Sequence, residues 1–141
     1  MEPAIGELVK RVHADLRAEQ DAVLGARGLT APQYAVLAAL ERRPGSSSAQ
    51  LARWSFVTPQ TMFRIVENLE AVGLLSRRPH PAHGKVLQTF LTPPGARLVA
   101  SCHAEVDAVE ARMLRGLSAP GRATLRKLLV SCAASLEGRP P

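Results

Sequence analysis

The chain has 141 residues, of which 46% are hydrophobic, 21% are charged and 4% are aromatic, and its net charge is +6. This length and composition fit one domain with a core built mainly of Leu, Val and Ala. The sequence shows no membrane span and no apolar segment of a signal peptide, so we predict a cytoplasmic protein with no membrane partner. The excess positive charge lies between Arg42 and Arg97, a segment with eight basic and two acidic residues, whereas the rest has ten of each sign, and this predicts a polyanionic partner.

Two amphipathic helices are predicted in the first third of the chain. Residues 5–24 place apolar side chains at helical spacing, with charged residues between them. These apolar residues are Ile5, Leu8, Val9, Val12 and Leu16. Thr30 followed by Gln33 forms a capping box at the start of the second helix, and Pro44 with Gly45 ends it.

A helix-turn-helix is predicted next. A short helix follows the serine run 46–48, with Leu51 on its buried side. The stretch TPQTMFRIVENLE (58–70) then begins with Thr58 as the helix cap and Pro59 at the first helical position. Its apolar face consists of Met62, Ile65, Val66, Leu69 and Val72. Its opposite face consists of Gln60, Thr61, Arg64, Glu67 and Asn68, with Phe63 at the border. Two short helices joined by a tight turn make this motif.

A hairpin and two helices complete the chain. The stretches LLSRRP (74–79) and VLQTFLT (86–92) predict two strands, with HPAHGK (80–85) as the turn between them. One further helix begins near Thr92 and the last is capped at Ser118. Their inward faces are predicted to hold Leu98, Val99, Cys102, Val106, Val109 and Met113 in one helix and Leu125, Leu128, Leu129, Cys132 and Leu136 in the other. We predict a mainly α fold with a small β-hairpin wing, a winged helix-turn-helix with N- and C-terminal dimerisation helices.

Three stretches in this order resemble the MarR family of transcriptional regulators, named for multiple antibiotic resistance: GLTAPQYAVLAAL (28–40), LARWSFVTPQTMFRIVENLEAVGLLSRRP (51–79) and LTPPGARL (91–98). The resemblance implies a homodimer whose terminal helices intertwine. It implies a recognition helix in the major groove of a pseudo-palindromic DNA operator and a wing in the adjacent minor groove. It also implies that a small, often aromatic effector binds between the DNA-binding lobe and the dimer helices and weakens DNA binding.

The resemblance also predicts how the chain is divided and what it does. Residues 1–141 would form a single MarR-like domain, with a winged-helix DNA-binding lobe at about 30–95 and dimerisation helices at about 1–28 and 96–138. The predicted function is sequence-specific regulation of transcription by a homodimeric repressor that a small ligand releases. The alternatives are a winged-helix protein-interaction module that binds an acidic partner, and a zinc- or redox-responsive regulator. No enzymatic motif and no cofactor are predicted.

DNA contacts are predicted on the recognition helix and on the wing. The groove-facing candidates are Gln60, Thr61, Phe63, Arg64 and Asn68. Arg can pair with guanine, Gln and Asn with adenine, and Phe can pack on a thymine methyl group. Thr58 would meet a phosphate at the helix N-terminus. Arg77, Arg78 and Lys85 would contact the backbone or the minor groove, although their alternation along a strand allows one arginine to be structural.

The wing tip and residue 63 depart from the family pattern. The family wing usually carries an acid two residues before an arginine near its tip, where this chain has His83 and Lys85. Phe63 stands where many members have a polar residue, so it could instead pack against Trp54 or Phe56. The acids Glu67 and Glu70 are predicted to repel misplaced phosphates or to pair locally with Arg64. Of these residues, His83, Lys85 and Phe63 are the ones that differ from the family pattern.

Other polar residues have competing interpretations. His13 and Tyr34 lie on helices that would border the effector pocket, or they form an ordinary helix contact. His80, His83, Cys102 and His103 have an unfavourable arrangement for zinc, and no metal site is predicted. Cys102 and Cys132 are predicted to be reduced and packed inward rather than to sense oxidants.

Overall fold

The computed structural model describes residues 1–55 and 57–138. It contains six helices and two strands among these residues, in the order α1 (Ile5–Gly25), α2 (Ala31–Arg42), α3 (Ser48–Ser55), α4 (Pro59–Ala71), β1 (Leu75–Pro79), β2 (Leu87–Leu91), α5 (Pro93–Met113) and α6 (Ala119–Leu136). Two compact units, Met1–Asp107 and Ala108–Pro141, divide the chain within α5. The mainly helical fold with one hairpin was predicted from the sequence.

The predicted capping box at the start of α2 is confirmed. The backbone N–H of Thr30 donates to Oε1 of Gln33 at 3.0 Å, and the N–H of Gln33 donates back to Oγ1 of Thr30 at 3.3 Å. These two bonds satisfy N–H groups that a helix start leaves without helical partners. Leu37 and Leu40 are fully buried, so α2 runs through the core of the first unit.

The predicted helix-turn-helix is formed by α3 and α4, and serine and threonine caps begin these helices. The N–H of Gln50 donates to Oγ of Ser47, and the N–H of Thr61 donates to Oγ1 of Thr58. Pro59 occupies the first turn of α4, where its missing N–H has no cost. On α4, Met62, Val66 and Leu69 are buried, and Ile65 is half-buried. Their burial fixes which face of α4 points outward.

The end of α4 differs from the prediction at one residue. Val72 was predicted on the inward face, but the helix ends at Ala71 and Val72 is 68% exposed. Gly73 then takes φ +77°, a conformation that glycine adopts without steric cost, and the N–H of Leu74 donates to the carbonyl of Leu69. The prediction for Val72 was wrong because helical spacing no longer applies beyond the helix.

The wing is an antiparallel hairpin with Leu75 opposite Leu91 and Pro79 opposite Leu87. Ser46 adds an isolated bridge to Thr89 on the outer side of β2, which the sequence analysis did not predict. The Ser46 hydroxyl also donates to the carbonyl of Arg43 at 2.6 Å. The loop between α2 and α3 is therefore fastened to the wing.

The start of α5 is fixed against the wing and the end of α1. A methyl group at Gly95 would overlap the carbonyl oxygen of Leu74, so only glycine allows this approach. Further along, the Arg27 guanidinium donates to Ser101 Oγ at 3.1 Å and to Glu105 at 2.7 Å. Buried residues of α5 in the first unit are Val99, Cys102 and Val106. Cys102 is thus packed inward, as predicted.

Apolar side chains remain uncovered on the terminal helices. On α1 they are Ile5, Leu8, Val9 and Val12, and on α6 they are Leu128, Leu129, Val130 and Leu136. No residue of α6 is buried, and the inward placement predicted for Leu128, Leu129, Cys132 and Leu136 is wrong for a single chain, because all four are exposed. Met113, at the end of α5, is also exposed rather than inward. Among residues 1–55 and 57–138, no helix is both long and apolar enough to cross a membrane.

Candidate nucleic-acid interface

The outward face of α4 carries the polar side chains that the sequence analysis selected. Gln60, Thr61, Arg64 and Asn68 are all exposed, opposite the buried Met62, Val66 and Leu69. The Thr58 hydroxyl is already engaged, because it accepts from the Thr61 N–H and donates to Oγ1 of Thr61 at 3.0 Å. The face is therefore built on a backbone that the core and the cap hold in place. Its side chains offer guanidinium, amide and hydroxyl groups to the exterior.

Phe63 borders this face and is 50% exposed. With Gln60, Arg64 and Glu67 it lines a shallow cavity of about 660 Å³ between α3 and α4. The guanidinium carbon of Arg77 lies 5.8 Å from the centre of its ring. The alternative partner Phe56 lies outside the described residues. Phe63 therefore presents an aromatic surface next to the polar face.

Arg77 and Glu70 join the wing to α4. Nε of Arg77 donates to Glu70 at 3.2 Å and Nη2 donates to the other carboxylate oxygen at 2.8 Å, and the Arg77 side chain is only 17% exposed. The hydrogen bonds from Arg77 lower the pKa of Glu70, and the carboxylate in turn raises the pKa of Arg77. Glu70 thus pairs with Arg77 rather than with Arg64, its predicted local partner. The pair can set the position of the wing relative to α4.

Arg78 points to the other face of the wing. Its guanidinium carbon lies 4.0 Å from the ring centre of Phe90, and the residue is exposed. Adjacent strand residues point to opposite faces, so the structure separates the two arginines that the sequence analysis grouped. The planar guanidinium group can stack on an aromatic ring while its N–H groups remain available to a phosphate.

The tip of the wing is ordered by His80. Its Nδ1 accepts from the backbone N–H groups of Ala82 and His83, at 3.0 and 3.2 Å. The backbone N–H of His80 donates to the carbonyl of Val86, which closes the turn. Lys85 is exposed within this turn. Within the described part of the chain, no three His, Cys, Asp or Glu side chains lie together as metal ligands would.

A second cavity lies on the inner side of α4. Its volume is about 420 Å³. Its lining comes from α1 (His13, Leu16, Arg17, Gln20), α2 (Ala31, Pro32, Ala35), α3 and the following turn (Trp54, Ser55, Val57) and α4 (Met62, Ile65). Of these residues, only His13 was predicted from the sequence to contact an effector. The one-turn spacing from His13 to Arg17 and from Leu16 to Gln20 was a signal that could have extended the selection along α1.

Tyr34, the other predicted effector contact, is placed elsewhere. Its hydroxyl lies 2.7 Å from Nδ1 of His103, and Nε2 of His103 lies 2.8 Å from the Glu41 carboxylate. Partial burial is the largest cause of a raised pKa for Tyr34, and the negative charge of Asp107 adds to it. The structure therefore puts His13 and Tyr34 in different surroundings, and Tyr34 connects α2 to α5.

These elements define a winged helix-turn-helix protein whose second motif helix, α4, has an exposed polar face. The family model for the MarR family matches residues 27–85. The HTH-type transcriptional repressor Rv2887 of Mycobacterium tuberculosis is 39% identical over 125 residues, which are 89% of this chain and 90% of the relative. This chain belongs to the MarR family.

Two solved structures of Rv2887 match the present fold closely. Its complex with DNA has a TM-score of 0.73 at 36% identity, covering 93% of this chain and 98% of that chain. Its complex with salicylic acid has a TM-score of 0.73 at 37% identity, covering 93% and 97%. A relative of this similarity thus binds DNA and an aromatic acid.

Proposed function

We propose that this protein is a homodimeric, sequence-specific DNA-binding repressor of transcription, and that a small aromatic acid weakens its DNA binding. The observation that carries the proposal is the exposed polar face of α4 on a helix whose other face is buried. Such a helix can enter the major groove without rearranging its own packing. The DNA and salicylic acid complexes of Rv2887 support the same two ligand classes. This function requires no catalytic step.

The residues divide by role. Arg64 reads guanine, Gln60 and Asn68 read adenine, and Thr61 contacts a base or the backbone. Phe63 packs on a thymine methyl group at the edge of the helix. Outside α4, Arg78 and Lys85 bind phosphates or the minor groove, and the first turn after Thr58 approaches a phosphate. Arg77 holds the wing through Glu70, because its carboxylate contacts occupy the guanidinium and leave it mostly buried.

The dimer is proposed from the uncovered apolar residues. We propose that residues 1–141 form a single domain. Its DNA-binding lobe spans about 30–95, and the helices at about 1–28 and 96–138 form the dimer interface with a second copy of the chain. Val9 on α1 and Leu128 on α6 are more than half exposed, as are further apolar residues on both helices. Covering these apolar side chains with a second protein surface removes them from water, which stabilises the assembly. Two copies also match a pseudo-palindromic operator.

The aromatic effector is proposed to bind the cavity behind α4. Leu16, Val57 and Ile65 offer apolar contacts to a ring, and His13 and Arg17 offer polar groups to a carboxylate. Because helices α1, α2 and α4 all line this cavity, an occupant can change how α4 is held. Tyr34 takes no part in this proposal, since its hydroxyl is bonded to His103.

The DNA-binding proposal is tested by selecting bound duplexes from fragmented genomic DNA near physiological salt. We expect an inverted repeat with half-sites about one helical turn apart. Arg64→Ala should then lose about 1–3 kcal/mol of discrimination at one base pair per half-site. The matched control is Arg97→Ala, which removes an exposed arginine of α5. If all sequences bind equally and with equal salt dependence, the basic segment recognises only phosphate and the repressor proposal fails.

The effector proposal is tested by titrating salicylate into the protein bound to its selected operator. We expect operator affinity to fall, and His13→Ala to require more salicylate for the same fall. Tyr34→Phe is the matched comparison, because it alters the other predicted residue outside this cavity. If Tyr34→Phe changes the salicylate response and His13→Ala does not, the cavity has been assigned wrongly.

A further inference from the structure

A third cavity, of about 480 Å³, lies between the α2–α3 loop, α3 and the wing. The proposed DNA reading and effector binding use none of its basic residues. Arg43 comes from the loop, Arg53 and Trp54 from α3, His80 from the turn of the wing and Gln88 from β2. Side chains distant in the sequence thus line one polar space. We call this space the loop–wing cavity.

Arg43 is held in place at one side of the loop–wing cavity. Its guanidinium carbon lies 4.1 Å from the ring centre of Trp54, within the range of a cation–π contact. Stacking fixes the plane of the guanidinium but uses none of its five N–H donors. Neither Arg43 nor Arg53 forms an ion pair with a carboxylate among the described residues. Both charges are therefore available to a ligand.

The other groups around the cavity also favour an anion. Nδ1 of His80 accepts two backbone hydrogen bonds, so the ring proton lies on Nε2 and makes that atom a donor. The amide of Gln88 offers further N–H donors. No Asp or Glu stands among the described residues that line the cavity. Two guanidinium groups and additional neutral donors, supplied from three elements, suit the several oxygens of a phosphate better than the two of a carboxylate.

We infer that the loop–wing cavity binds a phosphate group. The group is supplied either by a free phosphate or phosphomonoester or by the backbone of bound DNA. The first source makes the cavity a separate small-molecule site. The second rests on the proposed DNA-binding function and adds a backbone contact on the side of the wing where Ser46 fastens the loop to β2.

The single tryptophan of the chain makes the first source measurable without DNA. Trp54 lines the cavity, so its fluorescence should change as inorganic phosphate replaces chloride at constant ionic strength. Arg53→Gln should weaken phosphate binding, so that at least tenfold more phosphate is needed for the same change in fluorescence. Arg42→Gln is the control, because it removes the same charge from an exposed position that does not line the cavity. His13→Ala should leave the response intact, which separates it from the effector cavity that Trp54 also borders.

The second source is tested by measuring how duplex affinity depends on salt. If a DNA phosphate occupies the cavity, Arg53→Gln lowers the slope of log affinity against log salt by about 1, and Arg42→Gln does not. A response to phosphate with an unchanged slope identifies a free anion, whereas a changed slope alone identifies the DNA backbone. If Arg53→Gln and Arg42→Gln are indistinguishable in both measurements, the inference is wrong, whether or not the protein reads an operator.

Discussion

Helix α4 and the first half of α1 have the same sequence pattern but opposite surroundings. Both place apolar residues at helical spacing between charged or polar ones. On α4, Met62 and Val66 are fully buried, because α2, α3 and β1 pack around the helix. On α1, Ile5 is 78% and Val9 51% exposed. An apolar stripe therefore shows that a helix needs a covering surface but does not show which part of the molecule supplies it.

The largest loss of unfolding free energy is expected when a side chain on the buried apolar face of α4 is truncated. Leu69→Ala removes a side chain that is 1% exposed and should cost about 2–5 kcal/mol of unfolding free energy. Leu8→Ala makes the same change on α1, where the residue is 42% exposed, and should cost below about 1 kcal/mol at low protein concentration. Urea unfolding of both variants at two protein concentrations measures this. Equal losses at high dilution would contradict the contrast between the helices.

A second effect should appear only when two chains meet. Val9→Glu places a charge on the uncovered stripe of α1 and should weaken dimerisation about tenfold or more, because a buried apolar side chain is worth about 1.5–3 kcal/mol. Lys10→Glu is the control on the neighbouring exposed position. Sedimentation equilibrium gives the dissociation constants. A dimer as tight as the wild type in Val9→Glu would move the interface away from this stripe.

The smallest loss of unfolding free energy is expected when an ion pair is broken. Arg77→Ala breaks a bidentate contact between the wing and α4, whereas Arg17→Ala breaks the 3.5 Å pair with Asp21 within α1. We expect a loss of about 1 kcal/mol for Arg77→Ala, limited by the 38% exposure of the Glu70 side chain, and less for Arg17→Ala. Chemical unfolding at pH 7 checks the order. The reverse order would show that the wing needs no such anchor.

The pH dependence of the Arg77 effect has a definite sign. Arg77 holds the pKa of Glu70 below its ordinary value of 4.5. The contribution of the pair is therefore present above that value and is lost as the pH falls through the lower pKa of the folded state. The difference between wild type and Arg77→Ala should shrink towards pH 3, while the difference for Leu69→Ala should persist. A constant Arg77→Ala difference down to pH 3 would rule out the Glu70 carboxylate as its cause.

Much of the fold was predictable because its signals are local. The caps at Thr30, Ser47, Thr58 and Ser118 form between residues three apart, so the sequence shows both partners together. The hairpin was visible as two short apolar stretches around a turn rich in Pro and Gly. Val72 was misplaced because spacing alone does not show where a helix stops.

The candidate sites were predictable only in part. The polar face of α4 followed from helical spacing, and His13, predicted as an effector contact, lines the cavity on the inner side of α4. Tyr34 was predicted either to border the same pocket or to form an ordinary helix contact, and its partner His103, which lies 69 residues away in the sequence, could not be predicted from local spacing. The pairing of Glu70 with Arg77 also crosses from a helix to a strand, where spacing within one element gives no guidance.

The sequence by itself determined the order of the elements, the helix caps, the two faces of α4 and the location of the positive charge. Each of these depends on residues close together along the chain, where hydrogen bonds and side-chain periodicity act within one element. Only the tertiary structure decided which apolar stripe is covered, which arginine anchors the wing and which residues share a cavity. Those outcomes depend on surfaces that meet after the chain folds back on itself, so no single stretch of sequence contains them.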